Sequence, residues 1–321
     1  MSRAHIDHRD LIRFAEDKVN LSKNDATDYR AQVRRLREKL ETHISENPDF
    51  TLRRMQLSGS LAKGTALRTL NDIDVAMYVS GPDAPGKISD LLDYIVKRLQ
   101  TAFPNFSDDQ VKKQTYSVTV SFRGSGLDVD VVPVLYYEEP DWRGNLVSQE
   151  DGSFLETSIP LHLEFIKKRK EKHPQHFAQV VRLVKWWVRK LKQEDENFRF
   201  KSFMVELILA KLSDDGVDFS DYPNALQEFF TFLAAGGLEK RIVFSDHYKP
   251  SDVPACNDVV QIFDPINPLN NVAKLYKQAQ VDAISDAAND AGDAIDAALN
   301  APTKELTVKY WQKVFGSSFQ G

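Results

Sequence analysis

Apolar residues recur at every second position in three stretches, and these organise the rest of the chain. From Asp72 to Val79, the residues Ile73, Val75, Met77 and Val79 alternate with Asp72, Asp74, Ala76 and Tyr78. Residues two apart on a strand share a face, so the pattern predicts a strand with one apolar side and both carboxylates on the other. Leu127, Val129 and Val131 alternate with Asp128 and Asp130 in the same way. The run from Thr115 to Phe122 also alternates and ends in Arg123-Gly124-Ser125-Gly126. A strand, a glycine-bearing turn and a second strand predict a hairpin. An entering strand is expected from Phe50 to Leu57.

Helical spacing accounts for most of the remainder. Leu11, Ile12 and Phe14 mark a helix from Ile6 to about Val19, and Asn24 or Asp25 caps a longer one through about Ile44 with a stripe of Val33, Leu36 and Leu40. Ile88, Leu91, Leu92, Ile95 and Leu99 predict a helix that covers one side of the sheet. Loops are expected from Ser80 to Gly86, from Pro104 to Asp109 and from Asp246 to Asp258. Glu138 to Pro160 is rich in Gly, Asp, Glu and Ser, which puts a lobe boundary near its end; Trp142 within it reads equally as a lid or as a packing residue. Beyond Pro160 the pattern stays helical, with helices over Leu161–Lys170, His176–Lys192, Phe219–Leu233 and Val281–Asn300. In the second of these, Val180, Val184, Trp187, Val188 and Leu191 form an apolar stripe, and Arg182, Lys185 and Arg189 a basic one. The fold expected is α+β: a catalytic lobe over 1–160 that includes the N-terminal bracing helices, and a mainly helical lobe over 161–321. The tail with Tyr310, Trp311, Val314 and Phe315 docks on the helical lobe or serves a partner.

The chemistry sits on the first strand pair. Leu57-Ser58-Gly59-Ser60 reads as a strand running into a tight turn and short helix. Gly59 lets backbone approach closely because it has no Cβ, and the N–H groups at a helix start favour phosphate oxygens near Ser60. Asp72 and Asp74 side by side repel unless a cation lies between them, and oxygen-only donors suit Mg²⁺ together with substrate phosphates. Each motif alone is common: Gly-Ser is a frequent dipeptide, and Asp-x-Asp is often a solvated strand end. Together and in this order they point to phosphoryl or nucleotidyl transfer. The hairpin brings in a third carboxylate, Asp130, as two-metal catalysis requires; Asp128 is read as its solvated neighbour. Ser202 is expected to open the helix after Lys201, where its hydroxyl could reach a phosphate.

Gly59-Ser60, Asp72-Ile73-Asp74 and Val129-Asp130-Val131 resemble the signature of the polymerase-β-like nucleotidyltransferases. Leu183-Val184-Lys185-Trp186-Trp187, Lys201-Ser202-Phe203-Met204-Val205-Glu206-Leu207 and Asp264-Pro265-Ile266-Asn267-Pro268-Leu269-Asn270-Asn271-Val272 resemble the oligoadenylate-synthase and cGAS-like branch. Over nearly the whole chain the resemblance is to the bacterial CD-NTases, the cyclic-oligonucleotide synthases of CBASS antiphage defence, in the clade with HORMA-domain partners. It implies that Asp72, Asp74 and Asp130 are catalytic and hold two Mg²⁺ ions, with Mn²⁺ as a substitute. It implies nucleotide contacts from Gly59, Ser60, Lys185, Ser202, Phe203 and Asn271 in a cleft completed by the helical lobe. Lys185 is expected on the triphosphate, with Arg182 and Arg189 at the surface. Phe203 stands where relatives commonly have Tyr, keeping a stacking face and losing a hydroxyl; a core aromatic explains it as well. Asn271 is also expected as the cap of a helix starting at Val272, a role that explains most of the composition of that turn. The implied product is an adenine-rich 3′–5′ linked cyclic trinucleotide made from ATP, with other nucleoside triphosphates left open, and a HORMA-domain protein as activator.

Composition narrows the alternatives. In 321 residues the apolar fraction is 42%, the charged fraction 28% and the formal net charge −5, which speaks against a protein that wraps long nucleic acid. Nucleic acid is expected only as an activator. No apolar run is long enough for a membrane span, the N-terminus has no apolar signal core, and the lone Cys256 fits a reducing compartment, so a cytoplasmic place with no membrane partner is expected. Two rivals share the catalytic core: an RNA-tailing or CCA-adding enzyme, and a non-enzymatic nucleotide-binding scaffold.

Overall fold

The computed structural model describes residues 5–46, 51–70, 72–80, 88–147 and 153–321. In chain order the elements are α1 (His8–Phe14), α2 (Lys23–Glu46), β1 (Thr51–Leu57), α3 (Gly59–Lys63), β2 (Asp72–Ser80), α4 (Ile88–Ala102), β3 (Val111–Lys113), β4 (Val118–Phe122), β5 (Leu127–Tyr136), β6 (Gly144–Val147) and β7 (Phe154–Thr157). The helices α5 (Ile159–Lys172), α6 (His176–Glu194), α7 (Ser202–Asp214), α8 (Tyr222–Ala234), α9 (Gln278–Leu299) and α10 (Lys304–Phe315) follow. The start of the entering strand at Phe50, the loop from Gly81 to Gly86 and positions 148–152 lie outside the described residues.

The chain divides into two compact units. One is Leu21–Glu164; the other joins Met1–Asn20 to Phe165–Gly321. The first is built on a mixed sheet in the order β1-β2-β5-β4-β3, with β6 and β7 continuing from the end of β5. β1 and β2 are antiparallel, β2 and β5 parallel, and β5, β4 and β3 antiparallel. The alternation dictates what each face meets. Ile73, Val75, Met77 and Val79 of β2, Leu127, Val129 and Val131 of β5, and Val118 and Val120 of β4 form one core with Leu36 and Leu40 of α2 and Leu92, Ile95 and Leu99 of α4. The opposite face changes character along its length. At the C-terminal ends of β2 and β5 it holds Ala76, Tyr78 and Val134, packed with Tyr136 and Trp142; at the N-terminal ends it holds the aspartates. Trp142 is therefore a packing residue: its ring stacks on Tyr136 at 4.7 Å and meets Tyr78 edge-on at 5.4 Å.

In the second unit Trp187 of α6 packs edge-on against Phe230 of α8 at 4.9 Å and is almost completely buried. α9 uses small residues, Ala288, Ala291, Ala294 and Ala298, with Val281, Ile284 and Ile295, to lie close to α8 and α10. The tail docks within this unit: Trp311, Phe315 and Phe319 are buried, and the Trp186 indole N–H donates to the Phe315 carbonyl at 3.0 Å.

Three expectations are corrected. The first helix does not belong with the sheet; Phe14 of α1 packs on Phe315 and Phe319, both at 5.1 Å. Its apolar face needs an aromatic floor, and the tail supplies one. Arg182 is not a surface residue; its guanidinium donates to Asn20 Oδ1 at 2.8 Å and to Gln179 Oε1 at 2.7 Å. No helix begins at Val272, since α9 starts only at Gln278.

Candidate active site

The parallel pairing of β2 and β5 puts Asp72 opposite Asp128 and Asp74 opposite Asp130. Partners in register share a face, and neighbouring strands lie about 4.8 Å apart. Four carboxylates thus crowd the N-terminal ends of two central strands. Asp72 is exposed; Asp74, Asp128 and Asp130 are half-buried. Asp128 is the partly exposed neighbour whose charge bears on Asp130. Burial and the charges of Asp72 and Asp130 push the Asp74 carboxyl up to about 6, against a smaller opposing pull from Lys63. Burial also raises Asp130, reinforced by Asp72 and Asp128 and opposed by a hydrogen bond from Thr119.

Gly59 and Ser60 open α3 directly after β1. Gly59 sits at φ +63°, and a Cβ there would run into the Asp74 carboxylate. The close approach that demands glycine is therefore to Asp74 itself. The Ser58 N–H donates to the Asp74 carbonyl at 2.8 Å, tying the turn to β2. The Ser58 side chain makes no cap to α3, and Gly64 closes the helix in the left-handed conformation.

Among the described residues no three carboxylate, imidazole or thiol side chains converge as ready ligands on one point. The carboxylates are adjacent by register, and one Asp130 oxygen is taken by the Thr119 hydroxyl at 2.5 Å. The donor set nevertheless fits divalent cations. It is all oxygen, it collects like charges on one face, and burial with those charges raises the Asp74 carboxyl to about 6, a cost that a bound cation would relieve.

The other candidates lie in the second unit. Lys185 does not present a free ammonium there: its Nζ is 2.5 Å from Glu206 Oε1, with both side chains buried. An ammonium inside a helical bundle keeps its charge only beside a carboxylate, and α7 supplies one. Ser202 is the exposed first residue of α7, and Phe203 beside it is half-buried. Asn271 is a staple in the backbone. Its Oδ1 accepts from the Ile262 and Ala273 N–H groups at 3.1 and 3.0 Å, and its Nδ2 donates to Asp258 Oδ2 at 2.8 Å and the Val260 carbonyl at 2.7 Å. Those four bonds use its amide completely, so neither helix capping nor a nucleotide contact explains it.

Two residues near the carboxylates were missed from the sequence, Lys63 and Thr119. For Thr119 the signal was present. The hairpin closes on Phe122 opposite Leu127, and counting back from that pair sets Thr119 against Asp130.

A family model described as "Second Messenger Oligonucleotide or Dinucleotide Synthetase domain" matches residues 7–169. The chain belongs to this family. The cyclic AMP-AMP-AMP synthase of Escherichia coli (strain MS 115-1) is 69% identical over 321 residues, covering 100% of each chain. The CBASS oligonucleotide cyclase CdnC of Escherichia coli (strain KTE188) is 31% identical over 315 residues, 96% of each. Two solved structures of E. coli MS115-1 CdnC superpose with a TM-score of 0.91. The one in complex with HORMA-deltaN is 68% identical and covers 99% of both chains; the one with ATP is 69% identical and covers 99% of this chain and 100% of that one. The chain is thus a nucleotidyltransferase with the polymerase-β-like, cGAS-like fold that its motifs resemble. Nucleotidyltransferases of this family generally use divalent metal ions. Among the described residues no helix is long and apolar enough to cross a membrane.

Proposed function

We propose that this chain joins ATP into a cyclic oligonucleotide, cyclic AMP-AMP-AMP with 3′–5′ linkages, as the signal of a CBASS antiphage system controlled by a HORMA-domain partner. The observation that carries the catalytic part is the register of β2 and β5, which sets Asp74 beside Asp130 and Asp72 beside Asp128. The product and partner follow from 69% identity along the entire length to a cyclic AMP-AMP-AMP synthase, and from the relative solved with HORMA-deltaN.

Asp72, Asp74 and Asp130 would hold two Mg²⁺ ions. Bound there, the ions would activate the attacking ribose hydroxyl and stabilise the leaving pyrophosphate. Asp130, whose pKa is raised by burial, accepts the proton of the 3′-hydroxyl. That oxygen forms a bond to the α-phosphorus of the next nucleotide as the bond to pyrophosphate breaks. Gly59 and Ser60 keep the backbone of α3 low over Asp74 and bind the phosphates; Ser202 and the face of Phe203 serve the nucleotide in the helical unit. Base stacking of this kind contributes about 1–3 kcal/mol and does not select a base.

Mass spectrometry of phosphatase-treated products tests the reading. The chain is incubated with all four ribonucleoside triphosphates, Mg²⁺ and its HORMA-domain partner, beside an Asp72→Asn/Asp74→Asn variant. A phosphatase-resistant cyclic triadenylate absent from the variant is expected. Linear, phosphatase-sensitive products would move the assignment to an oligoadenylate-type or tailing enzyme.

A further inference from the structure

The face that carries the carboxylates continues across the sheet. β4 pairs with β5 so that Thr119 lies opposite Asp130 and Ser121 opposite Asp128. Two rows therefore cross β2, β5 and β4: Asp74, Asp130, Thr119 and Asp72, Asp128, Ser121. Each is carboxylate, carboxylate, hydroxyl. In the first row the hydroxyl is engaged: Thr119 Oγ1 lies 2.5 Å from Asp130 Oδ1. Gln114 Nε2 lies 3.4 Å from the same Oγ1 and donates to it, which commits the hydroxyl proton to Asp130.

Consider what Asp130 meets on its two sides. Toward β2 is Asp74; along its own strand is Asp128; both are like charges. Toward β4 is the one neutral donor. A carboxylate so placed swings away from its acidic neighbours unless one oxygen is anchored. A β-branched side chain such as Thr is stiff at χ1 on a strand, so it makes a firm anchor. Asp130 Oδ2 takes no hydrogen bond among the described residues and is the oxygen left for a cation.

We infer that Thr119 is a positioning residue for the nucleotidyl transfer: its hydroxyl ties Asp130 Oδ1 to β4 so that Oδ2 faces the ligand set with Asp72 and Asp74. The inference rests on the carboxylate assignment above. Residues that orient metal ligands typically change metal affinity or activity about 10–100-fold when lost. Thr119 acts through Asp130 and touches no substrate, so its removal changes ion binding and kcat while the KM for ATP stays in place.

The test compares the full-length wild type with Thr119→Val, Thr119→Ala and Thr119→Ser. Mn²⁺ affinity is read by electron paramagnetic resonance with an ATP analogue whose α–β bridge cannot be cleaved. Steady-state rates are taken with ATP, Mg²⁺ and the HORMA-domain partner. Val and Ala should weaken Mn²⁺ binding about tenfold or more and lower kcat by a similar factor at constant KM, and Ser should restore both. Unchanged Mn²⁺ affinity in Val or Ala overturns the inference, whatever the rate does. Loss of the folded state in both overturns it too, since the hydroxyl would then be holding the hairpin. A wild type that makes no product would strike at the assigned activity instead, and the Mn²⁺ comparison would still decide the role of Thr119.

Discussion

In the helical unit Arg169 lies between Asp214 and Asp246, at 2.5 and 2.6 Å, under the rings of Phe165 and Phe244. In the sheet unit Asp72, Asp74, Asp128 and Asp130 share one face, and the pull of Lys63 on Asp74 is outweighed by burial and by the charges of Asp72 and Asp130. The two clusters titrate in opposite directions. Burial on its own would raise Asp246, but hydrogen bonds and charge from Arg169 hold it below the usual carboxylate range. Burial raises Asp74 to about 6, and its neighbours add to the rise. A charged cluster that exists for stability completes itself, as Arg169 does and as Lys185 and Glu206 do at 2.5 Å. One that exists to receive something is left short of positive charge. The difference separates the candidate site from structural charge without reference to any ligand.

The largest expected effect tests that distinction directly. Asp74→Asn should abolish product, by on the order of 10³-fold or more, because the metal's contribution to the transition state is several kcal/mol. The same variant should fold more stably. A folded pKa raised from 3.8 to about 6 means that ionised Asp74 destabilises the fold at neutral pH by on the order of 3 kcal/mol, at 1.36 kcal/mol per pKa unit. The cost is absent below the unfolded pKa and complete above the folded one. Melting curves of the two proteins should therefore coincide near pH 4 and separate by pH 7. Variant and wild type melting together at pH 7 would show that the cluster is not short of positive charge.

Lys185→Met comes next. It strands Glu206 in the interior and should cost about 4 kcal/mol of stability by denaturant titration, whereas Lys185→Met/Glu206→Leu should regain most of the loss. If the double variant is stable but its KM for ATP rises tenfold, Lys185 serves the triphosphate as well as the core. Arg169→Met should cost about 3 kcal/mol, less because Asp214 is partly exposed at 37%. Because Asp246 is depressed, the stability it gains from Arg169 is present above the ordinary carboxylate range and lost as pH falls through its folded pKa; in the Arg169 variant this acid limb should flatten. The smallest effect is a rise of a few degrees in wild-type melting temperature on adding Mg²⁺ or Mn²⁺, expected to vanish in Asp74→Asn.

Much of the sheet was legible because its pattern is local. The alternation around Asp72 and Asp128 states which residues share a face whatever the strands pair with, and the Arg123–Gly126 turn sets the hairpin register. The helical unit was harder to read. Its basic stripe of Arg182, Lys185 and Arg189 looks like a surface, but where two of the three cations end depends on residues far away in sequence: Asn20 for Arg182 and Glu206 for Lys185. Asn271 showed the same limit. An asparagine in a proline-rich turn looks like a helix cap, and only the fold reveals Ile262 and Asp258 as its partners.

The sequence by itself therefore determined the α+β class and the strand faces, and it marked out Asp72, Asp74 and Asp130 as candidates on one face and a glycine at 59, because periodicity, turn chemistry and steric freedom act over a few residues. Only the tertiary structure decided that Gly59 is needed to clear Asp74, that Asp128 joins the row, that Thr119 holds Asp130, that α1 goes with the C-terminal tail, and that Lys185 is paired inside. Each of those depends on which side chains meet across strands and helices distant in sequence, and burial there decides whether a charge is matched, exposed or left in need of a partner.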